Sequence, residues 1–469
     1  MRRIFLLVIL VLTIADASSQ SVKDHGRLRV TGDGHYLEDE NGKPFFWLGD
    51  TGWQLFNRLS LPEINIYLEN RVSKGFNVIQ VCLLGEDNLS KPNRYGQIPL
   101  VNNNPFQPNE KYFALVDSVA KLCLQKNIFL ALMPTWGSKV VHAPGNTVIF
   151  DSVNAFHFGK WLAERYKEFP NIIWMTGGDI AAVKDSINYV PVWRSMAKGI
   201  REVSKNNCLI TYHPSGYRSS SQWVHQEPWL DFNMIQTSHG RHDAPVWEFT
   251  RKDRELFPVK PTLDGEPNYE DHPVNPWPKW NTDSGYFRSY DVRKQLYRAV
   301  FAGGLGVTYG HHSIWQFLNE REEVINYADR GWINALDRPG AWQAGYLRKL
   351  IESRPMAGRV PDNSLVIKGQ GETNALHIEA FRGAQNNYAM FYLPAGKTIT
   401  VNASFIKGEK VVAWWFNPKD ASASKIGILT RSIEMEFTSP TIGIENDWVL
   451  VLDDPSAKFS QPGNVSFPN

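Results

Sequence analysis

The chain has 469 residues, of which 42% are hydrophobic and 21% charged, proportions that allow a large buried core and exclude disorder as the main state. Its 50 basic and 48 acidic residues give a net charge of +2, which provides no electrostatic basis for binding nucleic acid. Aromatic residues reach 13% and include 17 Trp. Some of these rings are expected in the core and others in a sugar-binding cleft, because a flat apolar ring complements the C–H face of a sugar.

The N-terminus has the pattern of a secretory signal peptide. Arg2 and Arg3 precede an almost wholly apolar run over residues 4–14, and Ala15-Asp16-Ala17 has the small-residue spacing of a cleavage site. The run is too short to span a bilayer comfortably, so a retained membrane anchor is the weaker alternative. We therefore expect residues 1–20 to be removed and the mature chain, without a membrane span, to be exported to the periplasm or the extracellular medium.

Residues 21–355 alternate short apolar runs with helical patterns. Continuous apolar runs without strict alternation predict parallel strands that are buried on both faces. Eight such runs occur, at residues 45–49, 77–84, 128–134, 172–176, 209–213, 234–238, 261–265 and 307–310. Helical stripes lie between them, and the weakest of these is at residues 243–260, where polar and aromatic residues mix. This order predicts an α/β fold of the (β/α)8 or TIM-barrel type.

The tail, residues 356–469, has a different pattern. Seven short β-rich runs, with turn signals between them and no helical pattern, predict an antiparallel β-sandwich. They lie at residues 365–368, 375–380, 388–393, 398–401, 411–416, 433–437 and 448–452. Such a domain either binds carbohydrate or covers an apolar flank of the barrel, and the sequence leaves both readings open.

Two acids stand out by their positions after predicted barrel strands. Working residues of a (β/α)8 barrel project from the C-terminal ends of its strands. Asp179 follows the fourth strand and Glu266 the seventh, and these strands face each other across the barrel mouth. A carboxyl on each can flank one glycosidic bond, so that one protonates the leaving oxygen while the other attacks the anomeric carbon or activates water. The pair therefore predicts a glycoside hydrolase.

Each acid also has a plain structural alternative. A Gly-Gly-Asp turn suits a helix N-cap, which would account for Asp179, and Glu266 before Pro267 could be a surface acid. Asp264 competes with Glu266, but on a strand it would point elsewhere than its neighbours.

Further residues near the strand ends are candidates for binding sugar, although a structural role is about as frequent for each of them. A loop rich in Pro and Trp after the seventh strand adds Trp277 or Trp280 as a stacking ring. The complete set of candidate binding residues is Asp50, Trp136, His213, His239, His312, Trp315 and Trp277.

Cofactor and metal motifs are weak in this sequence. We find no Gly-rich phosphate loop after a strand, no HExxH helix and no Gly-x-Ser-x-Gly. His311 and His312 with His239 could in principle hold a metal, but adjacent residues on a strand diverge. We therefore predict no metal and no cofactor, and a polysaccharide or oligosaccharide as the partner; the sequence does not indicate an oligomeric state.

Several stretches resemble the apiosidase-like glycoside hydrolases of family 140. They are residues 46–53 (FWLGDTGW), 174–179 (WMTGGD), 263–270 (LDGEPNYE) and 304–311 (GLGVTYGH). The likeness covers about residues 25–355. The tail, through residues 413–418 (AWWFNP) and 447–452 (DWVLVL), resembles the collagen-binding-type β-sandwich that often follows this barrel.

The resemblance implies a retaining hydrolase with Asp179 as acid/base and Glu266 as nucleophile. It also implies release of apiose-linked side chains from the pectin rhamnogalacturonan II by a bacterial enzyme. Two other hypotheses stay open. One is a secreted carbohydrate-binding protein on an inactive barrel, which would not need the acid pair. The other is a glucan or mannan hydrolase, although such barrels commonly carry Asn-Glu where this chain has Gly178-Asp179.

Overall fold

The computed structural model describes residues 26–85, 89–279 and 281–467. The predicted signal peptide and Trp280 lie outside these ranges. The described part begins with a small antiparallel sheet of β1 (Leu28–Val30), β2 (Leu37–Asp39) and β3 (Pro44–Phe45). This sheet leads directly into the first strand of the barrel.

Eight parallel strands within the described ranges form the barrel. The next strands in chain order are β4 (Trp47–Thr51), β5 (Val78–Leu84), β6 (Phe129–Thr135), β7 (Ile172–Gly177), β8 (Val183–Lys184), β9 (Ile187–Asn188), β10 (Ile210–His213), β11 (Arg218–Ser219), β12 (Asn233–Gln236), β13 (Thr262–Asp264) and β14 (Gly306–Tyr309). β8 and β9 pair only with each other, and β11 is an antiparallel addition to β12. The remaining eight lie in the order β10-β7-β6-β5-β4-β14-β13-β12 and coincide with the eight predicted strands, which confirms the (β/α)8 barrel.

The barrel closes between β10 and β12, which have no regular ladder. The Asp231 N–H donates to the Ile210 carbonyl at 2.9 Å, and the Thr211 hydroxyl donates to the Phe232 carbonyl at 2.8 Å. Side chains on the strands are buried on both faces, as the continuous apolar runs predict.

Helices pack around the barrel. They are α1 (Leu55–Arg58), α2 (Leu61–Ser73), α3 (Glu110–Gln125), α4 (Ser152–Tyr166), α5 (Val190–Ser204), α6 (Ser221–Val224), α7 (Val246–Arg254), α8 (Ser289–Phe301), α9 (His312–Trp315), α10 (Trp332–Ala335) and α11 (Pro339–Glu352). The weak pattern at residues 243–260 corresponds to α7, which has 9 residues. The start of α4 shows how the sequence fixes a boundary: Asp151 accepts from the N–H groups of Val153 and Asn154, and Asn154 accepts from the Asp151 N–H.

The C-terminal domain is antiparallel, as predicted. Its strands are β15 (Val360–Pro361), β16 (Val366–Lys368), β17 (Glu379–Arg382), β18 (Tyr388–Val401), β19 (Lys410–Phe416), β20 (Ala423–Thr430) and β21 (Met435–Asp453). They form one hydrogen-bonded sheet folded over its own core rather than two separate sheets. The sequence predicts two short strands where the structure has the single strand β18, and two more where it has β21. Each long strand continues through the predicted turn with a shift of register. Sequence reasoning missed β20, whose side chains are largely exposed.

The outer face of this sheet shares a core with the barrel helices. Tyr297 of α8 stacks on Tyr392 of β18 with ring centroids 4.8 Å apart, and Phe301 meets Phe381 at the same distance. Three ion pairs cross the same boundary: Arg251–Glu379, Arg293–Asp447 and Arg354–Asp453. The domain therefore covers an apolar flank of the barrel. In the described part of the chain, no helix combines the length and apolar character needed to cross a bilayer.

Candidate active site

Three consecutive residues at the end of β7 have backbone conformations that place Asp179 at the barrel mouth. Gly177, Gly178 and Asp179 have φ angles of +93°, +113° and +55°. A Cβ on Gly177 would lie 2.2 Å from the His213 carbonyl oxygen, and one on Gly178 would lie 2.6 Å from the Gly137 nitrogen. Only glycine allows the chain to pass this close to its neighbours. The Asp179 side chain is exposed at the edge of the mouth.

The helix-capping alternative for Asp179 does not hold. The next helix, α5, begins at Val190 with Tyr189 in the N-cap position. The two-stranded hairpin of β8 and β9 lies between Asp179 and that helix. The Gly-Gly-Asp turn therefore serves the barrel mouth and not a helix end.

Glu266 is not a surface acid, because only 6% of it is exposed. It lies two residues beyond the end of β13, and two imidazoles approach its carboxylate. His213 Nε2 lies 3.0 Å from Oε2, and His239 Nε2 lies 3.2 Å from Oε1. His213 ends β10 and His239 follows β12, so three neighbouring strand ends build this cluster.

The electrostatics of this cluster favour an ionised Glu266. Burial opposes ionisation, but the contacts with His213 and His239 outweigh it and hold the pKa of the Glu266 carboxyl below its usual range. Asp264 behaves differently, since burial raises its pKa to about 7. Its carboxyl accepts from the Thr237 hydroxyl at 2.7 Å, whereas the Glu266 carboxyl faces His213 and His239. Strand alternation does not separate the two acids, since residues 264 and 266 would share a face; Glu266 lies beyond the end of β13, where the chain has left the strand.

Two adjoining cavities meet at the two acids. The inner cavity has a volume of about 340 Å³ and the outer one about 580 Å³. Both are lined by Asp179, Glu266, His239 and Trp277. The inner cavity also has aromatic and ring-bearing walls from Trp53, Trp136, Tyr269, His272 and Trp315. The outer one is lined in addition by Gly216, Tyr217, Gln236, Thr237, Ser238, Gly240 and Arg241.

Four of the predicted binding residues reach these cavities: Trp136 and Trp315 line the inner one, and His239 and Trp277 line both. Trp277 is 38% exposed and stands over the His239 and His272 rings. The predicted binding loop after the seventh strand therefore forms part of the cavity wall.

Three other predicted binding residues are not brought to a cavity surface. Asp50 is fully buried and faces α2, where its carboxylate pairs with Arg71 and accepts from the Tyr67 hydroxyl at 2.7 Å. His213 is fully buried beneath Glu266. His312 is also fully buried and accepts from the Trp315 indole N–H at 3.2 Å. The structure thus gives these three residues protein partners and no cavity surface, and their part in sugar binding stays a prediction.

Sequence reasoning missed two aromatic residues of the inner cavity. Trp53 lies two residues beyond β4, and its indole N–H donates to the Tyr269 hydroxyl at 3.0 Å. Burial and the neighbouring Glu266 carboxylate raise the pKa of Tyr269 well above its usual value, so this hydroxyl stays protonated. The position of Trp53 after a strand end was a usable signal. Tyr269 had none, since it is three residues beyond Glu266 in a loop.

Three buried histidines form a row that begins in the cavity wall, with His239 and His272 in the lining and His312 behind them. The His239 and His272 rings stack with centroids 4.1 Å apart, and His312 meets His272 at 4.3 Å. Burial lowers the pKa of His312 to about 3 and places the pKa of His272 well below its usual value. Over the described residues, no group of three His, Cys, Asp or Glu side chains has the arrangement of a metal site.

Comparison with known proteins assigns both domains. Residues 31–358 match the family described as the apiosidase-like catalytic domain, and residues 360–453 match the "Putative collagen-binding domain of a collagenase". A search of curated protein sequences gave no match.

Two solved structures are similar over nearly the whole chain. One, named glycoside hydrolase, is 36% identical with a TM-score of 0.85 and covers 92% of this chain and 97% of its own. The other is a family 5 glycoside hydrolase from Bacteroides vulgatus ATCC 8482. It is 35% identical with a TM-score of 0.86 and covers 94% and 96% of the two chains. Together with the family match over the barrel, these likenesses show that the chain belongs to the apiosidase-like family and is a glycoside hydrolase.

Proposed function

We propose that this enzyme is a retaining apiosidase that releases apiose-linked side chains of rhamnogalacturonan II. The observation that carries the proposal is the meeting of Asp179 and Glu266 at the junction of two cavities, inside a barrel of the apiosidase-like family. A glycosidic bond placed at this junction has one sugar in each cavity and a carboxyl group within reach of each side.

The two acids differ in a way that suits two roles. Glu266 is buried and its pKa is held below the usual range, so it is an ionised nucleophile. Asp179 is exposed at the cavity edge, where a leaving group can reach it. In the first step the Glu266 carboxylate attacks the anomeric carbon while Asp179 gives its proton to the departing oxygen. In the second, Asp179 takes a proton from water, which attacks the same carbon and frees Glu266.

The inner cavity suits the sugar that is released. Its rings, including Trp53, Trp136 and Trp315, offer apolar faces to a small sugar, and Trp277 covers the junction. The outer, larger cavity, whose wall carries Tyr217, Gln236 and Arg241, suits the remainder of the chain. We also propose that residues 1–20 direct export, which would bring the enzyme to a polysaccharide outside the cytoplasm.

Hydrolysis of another glycan, such as a β-glucan or mannan, is a second candidate. It is favoured by the family 5 name of the similar structure from Bacteroides vulgatus. The Gly178-Asp179 sequence after β7 argues against it, because Asn-Glu is common at this position in such enzymes.

The test is incubation of the mature protein with rhamnogalacturonan II, with its apiose-containing fragments, and with glucan and mannan, each beside Glu266→Gln. Release of apiose-linked oligosaccharide by wild type alone is the expected result. Release from glucan or mannan instead would establish the second candidate. Saturable binding of a glycan without release would mean an inactive binding barrel.

A further inference from the structure

We propose that His213 and His239 are positioning residues for Glu266, each presenting its Nε2–H to a different oxygen of the carboxylate. This inference rests on the proposed role of Glu266 as nucleophile. The sequence suggested sugar binding for both histidines; buried His213 takes the positioning role instead, whereas His239 lines both cavities and has it in addition.

The surroundings of His213 require a proton on Nε2. The Asp179 main-chain N–H points to Nδ1 at 3.4 Å, and a ring that accepts there carries its proton on Nε2. The Pro214 carbonyl also lies 3.1 Å from Nδ1. If Nδ1 instead donates to that carbonyl while Nε2 also carries a proton toward Oε2 of Glu266, the ring is a cation, a state that the ring ¹⁵N signals distinguish from the neutral tautomer. Both atoms of this contact are buried, and neither makes a hydrogen bond of standard geometry among the described residues, so the contact is an ion-pair approach at 3.0 Å.

His239 is fixed in the same way from the opposite side. The Tyr269 main-chain N–H donates to its Nδ1 at 3.3 Å, which leaves the proton on Nε2, 3.2 Å from Oε1 of Glu266. A main-chain donor cannot rotate away, so this tautomer is built into the fold.

Neighbouring rings prevent either imidazole from turning. His213 is fully buried and meets the Trp53 ring edge-on at 5.4 Å. His239 is held between Tyr269 at 4.4 Å and His272 at 4.1 Å. Because His213 touches the Asp179 main chain on one side and Glu266 on the other, one ring ties the two acids together.

The consequence is a carboxylate with both oxygens held and its charge intact. The other titratable groups around it are Asp264, Tyr269 and Asp179, of which Tyr269 stays protonated. Neither acid neighbour supplies a positive charge. The negative charge of Glu266 therefore stays available to a cationic sugar, at a position fixed within the narrow tolerance that catalysis needs.

The first test uses no substrate. Protein labelled with ¹⁵N at histidine is compared with Glu266→Gln by two-bond ¹H–¹⁵N correlation, with ring signals assigned from His213→Gln and His239→Gln. We expect a protonated Nε2 on both rings and a shift of both signals in Glu266→Gln, but none for buried His225, which contacts Asn233. The proposal would be overturned if either ring carried its proton on Nδ1 alone. It would also be overturned if the ring signals were the same in Glu266→Gln as in wild type.

The second test is kinetic. A leucine at either position removes the donor, whereas the amide nitrogen of glutamine reaches the place of Nε2. We expect His213→Leu and His239→Leu to lower kcat/KM about 10- to 100-fold and to move the acidic limb of the pH profile to higher pH. The glutamine variants should recover most of both changes. If kcat/KM fell equally in the leucine and glutamine variants and the acidic limb of the pH profile did not move, the two histidines would have a merely structural role.

The two tests also separate this inference from the proposed function. A fully active Glu266→Ala would remove the catalytic role, while the ring signals would still report whether the histidines hold the carboxylate. Wrong tautomers beside an inactive Glu266→Ala would remove only the positioning role.

Discussion

Two groups of buried carboxylates in this molecule are held by different partners. At the contact between the barrel and the C-terminal domain, Asp447, Asp453 and Glu379 each face an arginine. At the barrel mouth, Glu266 faces the Nε2 atoms of two imidazoles. A guanidinium is permanently charged and cancels the carboxylate, which suits a static contact. Imidazole donors orient the carboxylate without a permanent counter-charge, which suits a group that must meet a cationic sugar.

We expect the largest effect from substitution of the two acids at the barrel mouth. Glu266→Gln keeps the shape and removes the negative charge, so we expect kcat to fall about 10⁴-fold or more with little change in unfolding temperature. Asp179→Asn should lower kcat about 10²- to 10⁴-fold, since it removes a proton donor. Steady-state kinetics beside a thermal unfolding curve measures both. A folded Glu266→Gln with full turnover would refute the assignment.

Substitutions at the contact between the barrel and the C-terminal domain should lower the stability of the fold and leave catalysis unchanged. Asp447 accepts two hydrogen bonds from buried Arg293, at 2.8 and 2.6 Å. Asp447→Ala leaves this guanidinium buried and unpaired, so we expect a loss of about 3–5 kcal/mol in the free energy of unfolding. The control is Glu434→Ala, which breaks the exposed Lys368–Glu434 pair and should cost less than about 1 kcal/mol. Urea unfolding followed by Trp fluorescence gives both values, and equal losses would contradict the account.

The row of buried histidines predicts how the fold responds to acid. His312 has a pKa of about 3 in the folded chain and near 6.5 when unfolded, so the unfolded state takes up the proton first as the pH falls. Stability is therefore lost from about pH 6.5 downward. Between pH 7.5 and pH 5 this one group should cost wild type about 2 kcal/mol that His312→Gln does not lose. Chemical unfolding at the two pH values measures the difference.

The matched control for this prediction is His157→Gln, on the exposed face of α4. It should keep the pH dependence of wild type. The account would be wrong if His312→Gln lost stability with falling pH as steeply as wild type and His157→Gln do.

The smallest expected effect concerns the cavity wall. Trp277→Ala removes a ring that covers both cavities, and we expect KM to rise about 10-fold with a smaller change in kcat. Trp342 on α11 has the same 38% exposure but lies over Lys74 and lines neither cavity. Trp342→Ala should leave KM unchanged. A rise in KM for Trp342→Ala as large as that for Trp277→Ala would show that the ring acts through general stability.

The repeating part of the fold was predictable from sequence, and its exceptions have physical causes. The eight barrel strands are continuous apolar runs, because parallel strands are covered on both faces. Long β18 and β21 were predicted as broken strands, since turn residues such as Pro394 and Gly396 occur within a strand that only shifts register. β20 has few buried residues, so it leaves no apolar pattern to find.

The candidate site was predictable in position but not in the detail of each side chain. Asp179 and Glu266 were identified from where they follow their strands. Asp50 follows the same rule and nevertheless turns outward to Arg71, because alternate residues of a barrel strand face opposite sides. The role of His213 depends on which ring atom meets which main-chain N–H, and a sequence carries no such information.

The most direct test of the central claim is azide rescue with an activated aryl apioside, whose leaving group needs no protonation. With azide present, Asp179→Ala should give an apiosyl azide with the anomeric configuration of the substrate, because azide attacks the covalent intermediate on Glu266. Glu266→Ala should give the opposite configuration, because azide attacks the substrate directly in place of the missing carboxylate. The same configuration from both variants, or rescue of neither, would contradict a double displacement with Glu266 as nucleophile and Asp179 as acid/base.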